Sequence, residues 1–400
     1  MPLALLNRLR EAVSISRPFA NSKISKFVVI VAGEDSADLH GSNLVKAMMR
    51  LNPSIIFWGI GGQKLEQAGV KILFSSSDMA VVGLTEVLCR LYTIAKASRK
   101  LKSILKNDRP DLLILIDYPG FNINIARTAK RFQIPVLYYI SPQVWAWRRG
   151  RVRKLSRRID RMAVILPFEK EFYRQSGMEV EYVGHPLLDA CPEELDKEKA
   201  MIKLGVELDY PVVGLLPGSR KHEISELLPV MVKSVEILRG SYPNIRCLLP
   251  LARTIEPEFV QSFIDNSEVS IKVIKGDIHH ALSVCDVALV ASGTATMETA
   301  IMGIPMVIAY KVSPISFWIG KMMVKVPYIG LVNLVAKEKV VPELIQDEVT
   351  PDRLAHEAMT ILENKNVRAS MIMKLKGIKE NLGRGGASER TAKIALEMMR

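Results

Sequence analysis

The sequence predicts an α/β protein made of two consecutive doubly wound, Rossmann-like domains with a helical C-terminal tail. Three observations predict it. Short β-branched apolar runs recur along the chain and end at glycine, proline or an acid. Helical spacing fills the stretches between them. The alternation breaks after His185-Pro186 and starts again near Val212. Continuous apolar runs of this kind belong to parallel strands buried on both faces, and strand–helix alternation builds a parallel sheet covered on both sides. A chain of 400 residues is long enough to bury two cores.

Taken in order, the first strand is Phe27-Val28-Val29-Ile30-Val31-Ala32-Gly33, followed by helical spacing from Asp38 to Arg50. Ile55–Gly59 reads as the second strand, Leu112–Ile116 as the third, ending at Asp117, and Val136–Tyr139 as the fourth. Met162–Leu166 and Val180–Val183 are shorter strands. A mostly acidic stretch, Glu193 to Glu198, marks the linker. Beyond it come Val212–Leu216, Arg246–Leu249, Ile271–Ile274, Val287–Val290 and Met306–Ala309, and then a helical tail from Pro351. The expected organisation is a basic extension over 1–26, a first Rossmann-like domain over 27–190, a second over 191–350, and tail helices over 351–400 that could pack back on the first domain. Two such domains and a tail describe the GT-B architecture, whose ligands are expected at the carboxyl ends of the strands, in the cleft between domains.

The composition is that of a globular protein, 48% hydrophobic and 24% charged. The net charge of +13 favours anionic partners, among them nucleic acid, acidic lipid and phosphorylated substrates. Cys89, Cys191, Cys247 and Cys285 form no CxxC pair and read as reduced thiols of a cytosolic protein. No apolar run reaches the roughly 18–20 residues a bilayer span needs. The first 26 residues carry five basic side chains and one acid, and read as a terminal extension or a basic surface helix rather than a targeting segment.

Several segments could carry chemistry. Ala291-Ser292-Gly293-Thr294-Ala295-Thr296-Met297-Glu298 follows a buried strand and opens a helix. Small residues there admit a phosphate to backbone N–H groups and the positive end of the helix dipole, and Glu298 could accept from ribose hydroxyls. An ordinary helix start with hydroxyl caps explains the segment equally well. Leu216-Pro217-Gly218-Ser219-Arg220 repeats the logic, with Arg220 as a fork of donors for a diphosphate. Gly33 and Gly61-Gly62 end strands, and structural turns are the simpler reading of each. Asp117, at the end of a very apolar strand, is placed as a general base or as a helix cap, with nothing in the spacing to decide.

No GxxxxGK[ST], GxGxxG, DxD, HExxH or GxSxG pattern appears, so P-loop, standard dinucleotide and zinc-protease chemistries are disfavoured and no metal or cofactor is expected. His279-His280 reads as the start of a surface helix. Met79–Leu105 and Ile315–Lys325 mix apolar and basic residues and suit either a core face or a lipid surface. Arg148 to Arg158 is densely basic; with no nucleic-acid fold around it, a nucleic-acid partner ranks last.

At these residues the sequence resembles the lipid-A-disaccharide synthases of glycosyltransferase family 19. The resemblance runs from about Phe27 to Leu362. It is carried by Ala32-Gly33-Glu34, Asp38-Leu39-His40-Gly41, Val82-Gly83-Leu84, Glu86-Val87-Leu88, Ser141-Pro142-Gln143-Val144-Trp145-Ala146-Trp147-Arg148, Leu215 to Arg220, Ala291 to Glu298, Lys325 to Ile329 and Val341-Pro342-Glu343-Leu344. It implies an inverting transfer from UDP-2,3-diacylglucosamine to 2,3-diacylglucosamine 1-phosphate, with release of UDP. It implies Asp117 as the essential acid and Arg220 as the important arginine. Gly33, Gly218, Ser219, Ser292, Gly293, Thr294, Glu298 and Asn333 fall on the UDP side. Acyl chains and headgroups would meet Met79, Val82, Leu84, Trp145, Arg148, Arg149, Phe317 and Trp318. The implied setting is peripheral, on the cytoplasmic face of the inner membrane, with a homodimer as one open assembly.

Two departures stand out: Ala37 where the family usually has glycine, and Gly120 where it often has an acid. The alternatives are another GT-B UDP-sugar enzyme, such as a UDP-N-acetylglucosamine 2-epimerase, or a non-catalytic UDP-sugar-binding protein at a membrane surface.

Overall fold

The computed structural model describes residues 25–76, 86–147, 149–192, 195–206, 210–252, 254–313, 317–318 and 326–399, with main chain alone at 86–91, 146–147 and 149. Among the described residues, thirteen strands lie in two sheets. The first holds β1 (Phe27–Ala32), β2 (Ile56–Gly61), β3 (Lys71–Ser75), β4 (Leu112–Ile116), β5 (Val136–Tyr139), β6 (Arg161–Val164) and β7 (Glu179–Tyr182), in the order β3-β2-β1-β4-β5-β6-β7. The second holds β8 (Val212–Leu216), β9 (Arg246–Leu251), β10 (Ser270–Lys275), β11 (Val287–Ala291), β12 (Met306–Tyr310) and β13 (Glu343–Ile345), in the order β10-β9-β8-β11-β12-β13. In each sheet the order reverses beside the first strand. That is the topological switch point, where loops at the carboxyl ends part and leave room for a ligand.

Hydrophobic burial explains the order. β1 lies between β2 and β4 in parallel register, Val29 opposite both Trp58 and Leu113. Val28 to Ala32 and Leu112 to Ile116 are fully buried. Burying each such aliphatic side chain contributes about 1.5–3 kcal/mol, so these strands sit at the centre of the sheet. β11 repeats the arrangement between β8 and β12, with Val287 to Val290 fully buried.

The eleven strands expected from the sequence are all present, with ends shifted by at most two residues. β3 and β13 were not expected. Both are edge strands. Lys71–Ser75 is half-exposed along its length, and Glu343–Ile345 has three residues, so neither shows the continuous apolar run of a central strand.

The chain divides into two compact units. One takes the residues up to Ile140, Leu155–Met162 and the chain from Thr391; the other takes Ser141–Lys154 and Ala163–Arg390. Within the first, the terminal helix Ala387–Met398 is joined to β6 by the Arg161 Nη1–Glu397 Oε2 ion pair, 2.9 Å. Within the second, the turn before that helix is tied down by Asp189, which accepts from the Gly386 amide, and by Arg390, which donates to the Val183 carbonyl at 2.8 Å. Among the described residues no helix is long and apolar enough to cross a membrane.

Candidate active site

In the first unit the carboxyl ends of β1, β2 and β4 are bound to one another. β1 runs into Gly33 and Glu34, and the helix Asp35–Leu51 follows at once. Asp38, in the first turn of that helix, is buried, and its carboxylate accepts from the backbone N–H groups of Gly62 (2.6 Å), Lys64 (3.0 Å) and Leu65 (3.2 Å). It therefore caps the helix Gln63–Gln67 from a neighbouring element. A Cβ at Gly62 would lie 2.7 Å from Asp38 Oδ2, so this position must be glycine for the cap to close. Ala37 is buried inside the same helix, and a Cβ at Gly120 would meet no atom within 4 Å. The first departure from the family pattern is thus packed, and the second leaves open space.

Asp117 follows β4 directly, and its backbone is unusual. Asp117 and Tyr118 are consecutive non-glycine residues with φ of 45° and 46°. Each left-handed residue of this kind costs about 1–2 kcal/mol. The structure holds them by the Asp117 carbonyl, which accepts from Asn122 Nδ2 at 2.7 Å and from the Tyr138 hydroxyl. Asn122 is fully buried and also donates to the Ile116 carbonyl at 3.1 Å. Backbone strain of this kind persists only where the surrounding structure over-determines it. The Tyr118 ring lies against Gly33, and its hydroxyl pKa is raised by burial and then by Glu34.

In the second unit two turns follow the ends of β8 and β11. After β8, Gly218 has φ of 114° and sits against Glu223, where a Cβ would come within 2.3 Å of Oε2. The Glu223 carboxylate accepts from the Ser219 N–H (3.1 Å) and the Arg220 N–H (3.3 Å) and pairs with Arg220 Nη1 at 2.7 Å. Arg220 begins the helix Lys221–Arg239, and its side chain is 58% exposed. After β11, Ser292 is half-buried, and Gly293 and Thr294 are exposed at the start of the helix Thr294–Ile301. A Cβ at Gly293 would meet nothing within 4 Å, so the backbone there is open to a close ligand. Glu298, one turn on, is half-buried, with Oε1 3.9 Å from His279 Nε2. The same His279 nitrogen lies 3.5 Å from Cys191 Sγ. Burial lowers the His279 pKa, and it pushes the Cys191 thiol up to about 12. His279 stands at the start of the helix Ile278–Val284, as expected, half-buried and facing Glu298. Among the described residues no group of His, Cys, Asp and Glu could hold a metal ion.

Asn333 is placed differently from its expected role at the nucleotide. It is fully buried, and all four hydrogen bonds of its amide are made inside the protein. It donates to the Val341 carbonyl (2.9 Å) and Glu343 Oε1 (2.7 Å), and accepts from the N–H groups of Val340 (2.7 Å) and Val341 (3.0 Å). Glu343 in turn accepts from Ile329 and Gly330. Asn333 and Glu343 thus lock two of the family-like stretches together.

The Ser141–Trp147 stretch is held by a residue that sequence reasoning missed. Glu169 is 1% exposed, yet its carboxylate accepts from Ser141 Oγ (2.6 Å), Trp145 Nε1 (3.0 Å) and the N–H groups of Ile165 (3.2 Å) and Leu166 (3.0 Å). Burial raises its pKa, and these four donors oppose the rise. Trp145 is 5% exposed and meets Phe168 edge-on at 4.9 Å, so it supports the loop from beneath rather than offering a contact surface. Phe317 is half-buried, and Trp318 is 64% exposed. Met79, Val82, Leu84 and Arg148 lie outside the described residues, as do the side chain of Arg149, the extension 1–24, and most of the Ile315–Lys325 stretch.

Comparison with known proteins gives the family and the fold. The family model for lipid-A-disaccharide synthetase matches residues 28–398. The chain is 48% identical over 375 residues to the lipid-A-disaccharide synthase of Geobacter metallireducens, covering 94% of this chain and 98% of that protein. It is 41% identical over 370 residues to the lipid-A-disaccharide synthase of Coxiella burnetii, covering 92% and 98%. Among solved structures, it is similar to the UDP-GlcNAc 2-epimerase of Neisseria meningitidis bound to UDP-GlcNAc, with a TM-score of 0.62 at 13% identity over 94% of this chain and 100% of that one. It is also similar to the calicheamicin glycosyltransferase, with a TM-score of 0.59 at 13% identity over 94% and 99%. These two likenesses show a shared GT-B fold. Nearly full-length identity to the synthases, together with the family match, shows that the chain belongs to the lipid-A-disaccharide synthetase family.

Proposed function

We propose that this chain joins UDP-2,3-diacylglucosamine to 2,3-diacylglucosamine 1-phosphate, giving the β-1,6-linked lipid A disaccharide 1-phosphate and UDP. The observation that carries the reading is Asp117, an acid held in a strained backbone conformation at the carboxyl end of a buried central strand. Its carboxylate takes the proton of the acceptor 6-hydroxyl. The hydroxyl oxygen bonds to the donor anomeric carbon with inversion, and the bond from that carbon to the UDP oxygen breaks. The departing diphosphate is stabilised by Arg220, by the turn Gly218-Ser219, and by the backbone of Ser292, Gly293 and Thr294 at the start of a helix. Glu298 accepts from the ribose hydroxyls. Asn333 serves by holding its loop.

In this reading residues 27–190 bind the acceptor, 191–350 bind the UDP-sugar, and helices of 351–400 return to the first domain. The protein works peripherally at the cytoplasmic face of an anionic membrane, with exposed Trp318 as one anchor. No metal takes part. The test supplies both diacylated substrates to the purified chain, with and without EDTA. Disaccharide and UDP are expected in both arms; their absence would sink the transferase reading, and loss to EDTA the metal-free mechanism. Asp117→Asn is expected to lower kcat by about a thousandfold or more with UDP affinity held. Equal loss of both would remove Asp117 as the base.

A further inference from the structure

We infer that Tyr118 is a positioning residue for the reaction, and that Gly33 is glycine in order to seat its ring. The inference rests on the reading of Asp117 as the base. A Cβ built on Gly33 would lie 2.6 Å from Tyr118 Cγ, 2.7 Å from Cδ1 and 3.1 Å from Cβ. These are the atoms at the root of the ring. Cβ is fixed by the Tyr118 backbone and Cγ moves only with χ1, so turning the ring about its own axis would not make room. That backbone is itself left-handed, as is that of Asp117 before it.

The two hydrogen bonds to the Asp117 carbonyl restrain one side of the strained pair. The ring against Gly33 restrains the other, and Phe121, with its ring centroid 5.8 Å away, backs it. The loop after β1 and the loop after β4 thereby interlock at the residue next to the base. Movement of Tyr118 would rotate the peptide that aims the Asp117 carboxylate. The Tyr118 hydroxyl has no part in this argument, so a phenyl ring should serve as well.

The test is a double-mutant cycle in the full chain, read as kcat, as KM for the acceptor, and as UDP affinity by calorimetry. Displacing a reacting group by about 1 Å costs about a hundredfold in rate, so Tyr118→Ala and Gly33→Ala are each expected to lower kcat by about tenfold or more. In Tyr118→Ala the UDP affinity should change by less than about twofold, because the turns after β8 and β11 belong to the other unit. In the Tyr118→Ala background the Gly33→Ala methyl loses the two severe contacts, with Cγ and Cδ1, and keeps only the 3.1 Å approach to Cβ, which a shift of a few tenths of an ångström relieves. Its further cost is expected to fall below about twofold, a clear departure from additivity. Tyr118→Phe is expected to restore the rate lost in Tyr118→Ala, and the acid limb of its kcat/KM profile should match that of the unaltered protein.

Additive losses would overturn the inference, since Gly33 would then act without Tyr118. So would a rate in Tyr118→Ala equal to that of the unaltered chain. Should Gly33→Ala fail to fold, shown by loss of a cooperative unfolding transition, the comparison of Tyr118→Ala with Tyr118→Phe decides alone. If Asp117→Asn proves active while the cycle remains non-additive, the base assignment fails and the interlock stands. If Asp117→Asn is inactive and the cycle is additive, only the positioning role falls.

Discussion

A strained backbone persists only where neighbours over-determine it, and at Asp117 the neighbours can be named. Asn122 reaches back across one helical turn to the carbonyls of Ile116 and Asp117, and Tyr138 reaches the same carbonyl from the adjacent strand. The position of Asp117 was legible in the sequence, because an acid that ends the run Leu112–Ile116 has few places to go but the strand end. Its conformation was not, because Tyr138 is 21 residues away and becomes a neighbour only when β4 pairs with β5. Asn122→Leu removes the amide but keeps an apolar filling. We expect it to cost about 1–3 kcal/mol, because two buried carbonyls lose a donor, and to lower kcat with little change in UDP affinity. Urea denaturation and steady-state kinetics on one preparation check both. A loss confined to stability would show that the carbonyl bonds do not aim the carboxylate.

A second residue-scale prediction concerns His40. It is buried, its Nδ1 has no partner, and its pKa is lowered from 6.5 to about 4, first by burial and then by Lys64. In the unfolded chain the imidazole binds a proton near pH 6.5; in the folded chain it resists until about pH 4. The unfolded state therefore holds more protons across this window, and stability falls as the pH drops through it. The stabilisation is fully present above about pH 6.5 and is lost by about pH 4, a change of about 3 kcal/mol from this one group. The difference in unfolding free energy between the unaltered chain and His40→Gln should follow that curve between pH 7 and pH 4. A flat difference would mean that His40 titrates alike in both states.

At the scale of elements, the same logic separates what the sequence shows from what it hides. Central strands announce themselves by continuous apolar runs, and all eleven expected strands formed. Edge strands β3 and β13 stand half in solvent and resemble loops in sequence. Polar residues were harder still. Glu169 and Glu171 lie two apart in one short helix and look alike, yet Glu169 is buried under four donors and sets the Ser141–Trp147 loop. Asn333 was identified as a position that matters, but its role turned on partners up to ten residues away.

Asp38 is the clearest case of one element completing another. Its carboxylate supplies the N-terminal cap that the helix Gln63–Gln67 lacks in its own sequence, where Gly62 stands at the cap position. Asp38→Ala leaves three N–H groups without a carboxylate. We expect a local loss of about 2 kcal/mol, seen as about thirtyfold faster hydrogen exchange at Leu65 and its neighbours. Unchanged protection would mean that water or another side chain replaces the cap at no cost.

At the scale of the whole molecule, charge and apolar exposure make different predictions about a membrane. The net charge of +13 attracts anionic lipid, and that attraction is screened over about 10 Å at 0.1 M salt and about 3 Å at 1 M. Trp318 exposes 64% of its surface, and an indole that enters the interface is held by burial, which salt does not screen. Vesicles with about a third anionic lipid should therefore bind the protein strongly at about 0.05 M salt and several-fold less at about 0.5 M. A remainder should resist salt. Trp318→Ser should remove that remainder and leave the low-salt binding largely in place, because the basic charge is untouched. Charge-neutral vesicles should retain only the salt-resistant part. If binding were equal on neutral and anionic vesicles, electrostatic attraction would not be what brings this chain to lipid. If Trp318→Ser changed nothing at high salt, the apolar anchor would have to be sought elsewhere on the surface. Either outcome leaves the proposed role of Asp117 intact, because proton transfer within a bound complex and arrival at a lipid surface are different steps.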